Sequence, residues 1–275
     1  MFQKIVMVLL LLLSTEAMAK RQALLVGVAD YKKDKNDLAG IEIDLNRMQK
    51  LLESWDFEVK ILRDANSMKL DRYLTIYEEL GKDDMFAFYY TGHGSHAKDD
   101  GHDEEDGEDE TLVLSDGKQD IHYRDDDLNY RLNCIKAKKL IMFDSCHSGS
   151  AYKATNAKLQ PKSMVSDWVK EVYYRIKNKL DPVQPKELKG SYLVLSASKD
   201  SETSQATKEG SLFTSEVYNF FTQDKYLAKS LDAIRKEITY NIGVVCKKND
   251  VDKFHPVFSL SDGAVKETSM EEFLR

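Results

Sequence analysis

Apolar positions along the chain switch repeatedly between two spacings. Gln22–Val28 (QALLVGV) is a short, nearly continuous apolar run, the pattern of a strand buried on both faces. Leu38, Ile41, Leu45, Met48 and Leu52 then recur at helical spacing, and Phe57–Leu62 alternates as a second strand. Leu70, Leu74, Ile76, Tyr77 and Leu80 mark a second helix. Met85–Tyr90 (MFAFYY) and Lys139–Asp144 (KLIMFD) predict buried strands, with a short strand at Thr111–Leu114 and a helix over Asp127–Leu132 between them. Tyr192–Ser196, helices near Leu212–Phe221 and Leu231–Val245, and a strand at Val257–Leu260 complete the series. Strands alternating with helices at this spacing predict an α/β fold with a mainly parallel central sheet and helices on both faces. Binding sites in such folds collect outside the carboxyl ends of the strands.

Three segments depart from this rhythm. The amino terminus carries one Lys, nine apolar residues (Ile5–Leu13) and small residues at Ala17 and Ala19, which predicts a secretory signal over residues 1–19. Nine apolar residues fall short of the ~20 needed to cross a bilayer as a helix. The expectation is therefore one exported domain over 20–275, secreted or periplasmic, without a membrane span once the signal is removed. Asp99–Glu110 (DDGHDEEDGEDE) holds nine carboxylates in twelve residues and predicts a solvated loop. Residues 150–190 contain Pro161, Pro182 and Pro185 among many Lys, and predict an insertion or linker. Within it, Val165, Trp168, Val169, Val172 and Ile176 keep the spacing of a docked helix.

The formal net charge of −7 would repel a phosphate backbone on average, so nucleic acid is not an expected partner. Three Cys exclude a disulfide-stapled miniprotein and leave at least one thiol unpaired in the monomer. In an oxidising compartment Cys134 and Cys246 could bridge, or both could be buried thiols.

Candidate chemistry lies at two strand ends. MFAFYY runs into Thr91-Gly92-His93-Gly94-Ser95, and KLIMFD runs into Ser145-Cys146-His147-Ser148-Gly149. A thiolate is a strong nucleophile, and an imidazole on the adjacent strand end can assist it and protonate a leaving amine. A Cys146–His93 pair is what amide hydrolysis through a thioester requires, and the N–H groups of Gly94 and Cys146 are candidates to hold the oxyanion. His147 is a rival imidazole that a loop would point away; His96 and His102 are assigned to the acidic loop. Gly92–Ala97 formally matches a dinucleotide-binding pattern, but the carboxylate run after it would repel a pyrophosphate. No C-x-x-C or H-x-x-x-H spacing supports zinc.

YYTGHGS together with FDSCHSGS resembles the caspase–hemoglobinase fold, specifically the metacaspases and bacterial caspase-like peptidases of family C14. LLVGVADY, the Leu38–Asp44 segment, DGEDETLVLSD, DDDL and SASKDSETSQATKEGSLFT resemble further blocks of that family. The resemblance implies a caspase-like three-layer fold and a cysteine endopeptidase with Cys146 as nucleophile and His93 as its partner. It implies cleavage of proteins or peptides after Arg or Lys, selected by Asp44 and Asp144, since a carboxylate pair favours a cationic side chain and rejects Asp. The chemistry requires no cofactor. Asp109, Asp125 and Asp126 match positions that bind activating Ca²⁺ in many metacaspases, whereas Lys153 stands at a fourth, normally acidic position and opposes binding. Metacaspases are typically monomers, and a monomer is expected here. An enzyme of this specificity could clip itself at an exposed flank, after Lys153, Lys158 or Lys162. Two alternatives are a self-processing maturase with a narrow target and a catalytically silent module gripping basic partners through the acidic loop.

Overall fold

The computed structural model describes residues 19–98, 108–145, 160–162, 188–199 and 202–275. The signal segment, most of the carboxylate run, Cys146, His147 and the expected helix at 165–176 lie outside the described residues.

The chain enters the fold at once through β1 (Arg21–Gly27), followed by α1 (Ile41–Glu53), β2 (Glu58–Arg63), α2 (Ser67–Tyr77) and β3 (Met85–Thr91). An antiparallel ribbon of β4 (Gly94–Lys98), β5 (Glu108–Ser115) and β6 (Asp120–Arg124) comes next, then α3 (Asp125–Cys134) and β7 (Lys138–Asp144). The remaining elements are β8 (Gln160–Pro161), β9 (Tyr192–Ser196), β10 (Gln205–Thr207), β11 (Gly210–Ser211), α4 (Leu212–Phe221), α5 (Asp224–Leu227), α6 (Leu231–Asn249), β12 (Val257–Leu260) and α7 (Met270–Leu274).

Six strands form the central sheet in the order β12-β9-β7-β3-β1-β2. All pair in parallel except β12, which runs antiparallel to β9. From β1 the chain moves outward to β2, then crosses back over β1 to β3. With right-handed crossovers, this reversal puts α1 and α2 on opposite faces and makes the boundary between β1 and β3 a switch point. The register aligns Gly27 with Thr91 and Thr91 with Asp144, so three strands end in one row. β3 is buried at every position, as its unbroken apolar run requires. These elements form the three-layer caspase-like α/β fold expected from the sequence.

Several departures have physical causes. The ribbon β4–β6 replaces the expected loop: β4 begins immediately after His93, and Glu108–Glu110 belong to a strand. The ribbon is buried along β5 from Thr111 to Ser115 and along β6 from His122 to Arg124. His96 accordingly lies half-buried on β4 rather than in a solvated loop. The first helix starts at Ile41 rather than Leu38, because Gly40 adopts a left-handed φ of 85° as its N-cap. The short carboxyl-terminal helix was not visible as a periodic pattern; Ser269 and Glu272 close it with a capping box. Cys134 and Cys246 are free thiols. Among the described residues no helix is long and apolar enough to cross a membrane.

Candidate active site

His93 leaves the end of β3 and is held from three sides. Its backbone N–H donates to the Tyr31 hydroxyl at 2.8 Å, the Tyr90 hydroxyl donates to its carbonyl at 2.8 Å, and the Tyr31 ring lies 4.7 Å from the imidazole. Gly92 makes this possible: a Cβ there would lie 2.5 Å from the Tyr90 hydroxyl and 2.9 Å from that of Tyr31. The imidazole Nε2 lies 2.7 Å from the Asn36 carbonyl. A carbonyl only accepts, so Nε2 carries the proton and Nδ1 presents its lone pair. Nδ1 is buried and makes no hydrogen bond among the described residues. Burial holds the imidazole pKa down at about 4, against the opposing effect of the Asn36 hydrogen bond, so the ring is neutral at pH 7. A neutral, oriented imidazole with an open nitrogen is equipped to accept a proton from a thiol.

Asp44 and Asp144 are both fully buried. Asp44 lies on the buried stripe of α1 with Ile41, Leu45, Met48, Leu51 and Leu52, not on the exposed face where a helix acid usually sits. Its Oδ1 accepts the Ser211 backbone N–H at 2.8 Å, and its Oδ2 accepts weakly from Thr91 Oγ1 at 3.4 Å. Asp144 ends β7 and accepts the Thr214 hydroxyl at 2.5 Å on Oδ2. Gly210, at φ +100°, lets the backbone pass Asp44: a Cβ there would lie 2.6 Å from Oδ1 and would also strike Arg47. Burial, opposed by Lys162 and reinforced by Asp144, raises the Asp44 pKa to about 6.

An ammonium group fills the space between the two carboxylates. Lys162, fully buried, places Nζ 3.2 Å from Asp144 Oδ1 and 3.6 Å from Asp44 Oδ2. Nζ also donates to Thr91 Oγ1 at 2.7 Å and to the Asp144 carbonyl at 3.1 Å. Desolvating an ammonium costs several kcal/mol, which an arrangement of two carboxylates and two oxygen acceptors offsets. The carbonyl of Lys162 accepts the Gly94 N–H at 3.0 Å. Lys162 is therefore no exposed flank, contrary to the sequence expectation; pairing with the pocket has buried it.

The structure thus brings His93, Gly94, Asp44 and Asp144 to one place. Cys146 and Lys153 lie outside the described residues; Ser145, the residue before Cys146, is buried at the end of β7. For Asp109, Asp125 and Asp126, the β5–β6 ladder stops at the Thr111–Arg124 pair, which puts all three positions at one end of the ribbon. Among the described residues no group of three or more metal-ligating side chains gathers.

Sequence reasoning did not single out Thr91, Ser211, Thr214, Tyr31 or Asn36. Ser211 and Thr214 lie in the GSLFT block, a legible signal. Asn36 acts through its backbone carbonyl and Tyr31 through a contact 62 residues away in sequence, neither of which a motif displays.

The family model described as the caspase domain matches residues 20–261. Metacaspase-1 of Meyerozyma guilliermondii is 33% identical over 148 residues, covering 48% of this chain and 36% of that protein. Metacaspase-1 of Mycosarcoma maydis is 32% identical over 147 residues, with the same coverage. The matching region spans about a third of the length of these relatives. Among solved structures, protein GSU0716 from Geobacter sulfurreducens superposes with a TM-score of 0.68 at 24% identity, covering 92% of this chain and 98% of that one. Caspase-1 from Spodoptera frugiperda superposes with a TM-score of 0.57 at 13% identity, covering 88% and 86%. Both likenesses show the fold. With the family match running over nearly the whole described chain, the protein belongs to the caspase-domain family of cysteine peptidases.

Proposed function

We propose that this chain is an exported cysteine endopeptidase that cleaves peptide bonds after Arg or Lys. The observation that carries the reading is the pair of fully buried carboxylates, Asp44 and Asp144, closed around an ammonium beside an oriented imidazole. A buried carboxylate pair is expensive unless a cation occupies it, so the site discriminates by charge: Lys or Arg is held, and Asp is repelled.

In the proposed reaction His93 Nδ1 takes the proton of the Cys146 thiol, and the thiolate attacks the scissile carbonyl carbon. The developing oxyanion is held by the Gly94 N–H, which already binds a peptide carbonyl in this structure, and by the N–H of Cys146. Collapse breaks the C–N bond, and the imidazolium gives its proton to the leaving amine. Water then hydrolyses the thioester. The protein needs no cofactor for these steps; Asp109, Asp125 and Asp126 would be the residues to hold Ca²⁺, which would serve only as an activator.

Fluorogenic peptides ending in Arg, Lys or Asp, assayed with wild type and Cys146→Ala under reducing conditions, test the reading. Release after Arg and Lys that disappears in the variant is expected. Release after Asp alone sinks the pocket assignment. A chain that cuts no peptide and resists a thiol-directed covalent probe at Cys146 would instead be a silent binding module.

A further inference from the structure

Two side chains of the segment that pairs with β10 meet the same part of the molecule, α1 and the backbone that enters it. Gln160 and Pro161 form β8, antiparallel to β10, with Gln160 opposite Ala206 and Pro161 opposite Gln205. The Lys162 N–H continues the ladder by donating to the Ser204 carbonyl at 3.1 Å. In extended backbone, side chains two residues apart project from one face. Gln160 and Lys162 obey this rule. The Lys162 ammonium reaches Asp44 on α1, and the Gln160 side-chain oxygen accepts the Ala39 N–H at 3.0 Å, two residues before α1 begins.

The Ala39 N–H is held in place from both sides. The Leu38 N–H before it donates to the Ala29 carbonyl at 3.1 Å. Gly40 after it is wedged against the β10–β11 hairpin, where a Cβ would strike the Thr207 carbonyl oxygen and lie 2.7 Å from the Gly210 nitrogen. Arg47, farther along α1, ties down the same hairpin by donating to the Glu209 carbonyl at 2.7 Å. The wall that pairs with the main chain of a bound strand and the wall that meets its side chains are therefore fixed to each other. A backbone N–H needs an acceptor, and an apolar side chain laid over it would cover it without satisfying it.

We propose that the Ala39 N–H is a second specificity contact of this peptidase, a subsite for a hydrogen-bond-accepting side chain of the length of Gln, two residues before the Lys or Arg at which a substrate is cut. The inference rests on the Arg/Lys reading of the pocket and extends it. One helix and its entry read alternate side chains of one strand, a cation at Asp44 and an acceptor at Ala39. A substrate strand pairing with β10 in the register of β8 presents the same two groups to the same two places. The preferred substrate class is then an extended protein segment with Gln two positions ahead of the basic residue.

The experiment compares kcat/KM on Gln-Pro-Lys, Met-Pro-Lys and Gln-Pro-Asp reporter peptides for wild type, Ala39→Gly and Ala39→Pro. Met matches Gln in length and offers no comparable acceptor. Wild type and Ala39→Gly should favour Gln over Met by about three- to tenfold, the difference lying in KM rather than kcat, because the contact is made away from the reacting atoms. Ala39→Pro lacks the N–H, so the ratio should fall to about one while Lys is still preferred to Asp at the cleaved bond. A purely structural role for Ala39 would lower both Lys peptides together and leave the ratio unchanged. If Ala39→Pro fails to fold, the ratio in wild type decides. A wild-type ratio near one, with Gln-Pro-Lys still hydrolysed, overturns the inference and leaves the pocket reading intact. A preference for Gln that persists in folded Ala39→Pro also overturns it. Hydrolysis of Gln-Pro-Asp in place of Gln-Pro-Lys overturns the pocket reading instead.

Discussion

Replacing Asp144 by Asn removes one charge from the pocket while keeping nearly the same shape. Asp144 is fully buried, its Oδ1 lies 3.2 Å from the Lys162 ammonium, and its Oδ2 accepts from Thr214. At that separation and an effective dielectric of ~20, the direct attraction is about 5 kcal/mol. Part of this is offset by desolvating the incoming cation, so truncating one partner of such a pair costs ~2–4 kcal/mol, or about 30- to 1,000-fold in kcat/KM. Asp44 lies farther from the ammonium, at 3.6 Å, so Asp44→Asn should cost less. The assay compares kcat/KM on a peptide ending in Lys with one ending in an uncharged residue of similar length, for wild type and variant side by side. The charged peptide should lose the full factor and the uncharged one little. Equal losses on both would mean that Asp144 supports the fold or the dyad rather than selecting charge, and the reasoning would fail.

Other consequences concern the histidine, pH, the metal and the amino terminus. Gly92→Ala would drive a methyl group against the Tyr90 and Tyr31 hydroxyls that clamp His93; a loss of ~1–3 kcal/mol in stability and at least about tenfold in kcat is expected, and an unchanged kcat argues against the clamp. In Cys146→Ala protein, His93 has a folded pKa of about 4, below its unfolded value, so the unfolded chain binds more protons between about pH 4 and 6.5 and stability falls as pH drops through that window. Asp44, raised to about 6, works in the opposite direction. Denaturant titrations at pH 7 and 5 should therefore show a smaller acid loss after His93→Gln and a larger one after Asp44→Asn; the reverse order contradicts both assignments. Chelation should lower activity reversibly if Asp109, Asp125 and Asp126 hold Ca²⁺, and Asp126→Asn should abolish that sensitivity; activity indifferent to chelator removes the metal. Protein collected after export should begin at Lys20, whose backbone nitrogen lies 2.7 Å from Asp84 Oδ1, so that the freed α-ammonium gains a carboxylate partner. A mature start at any other residue rejects the cleavage point.

The sequence was most informative where one segment decides its own state. The apolar runs of β1, β3 and β7 and the helical spacing of α1, α4 and α6 gave the elements to within a few residues, because burial on a strand or helix face leaves a local period. The two strand ends marked His93 and Cys146 as candidates because both follow buried strands, and the structure pairs those strands, β3 and β7, in register. One further signal was present but unused: Asp44 follows Ile41 by three residues and precedes Met48 by four, so it shares the apolar stripe that the helix buries. The ribbon strands β4 and β6 were not legible, because short polar strands at the margin of a fold have no period of their own and exist by pairing with β5.

What the sequence determined by itself was the order of elements and the residue types capable of chemistry, both consequences of local hydrophobic pattern and side-chain identity. Only the tertiary structure decided which groups meet. The open nitrogen of His93 follows from a carbonyl 57 residues away, and the filling of the acidic pocket from a lysine 118 residues beyond Asp44 and 18 beyond Asp144. A charge pattern shows that Lys162 is cationic and that Asp44 and Asp144 are anionic. Their mutual burial depends on three chain segments arriving at the same strand ends, a property of the folded topology that no local stretch encodes.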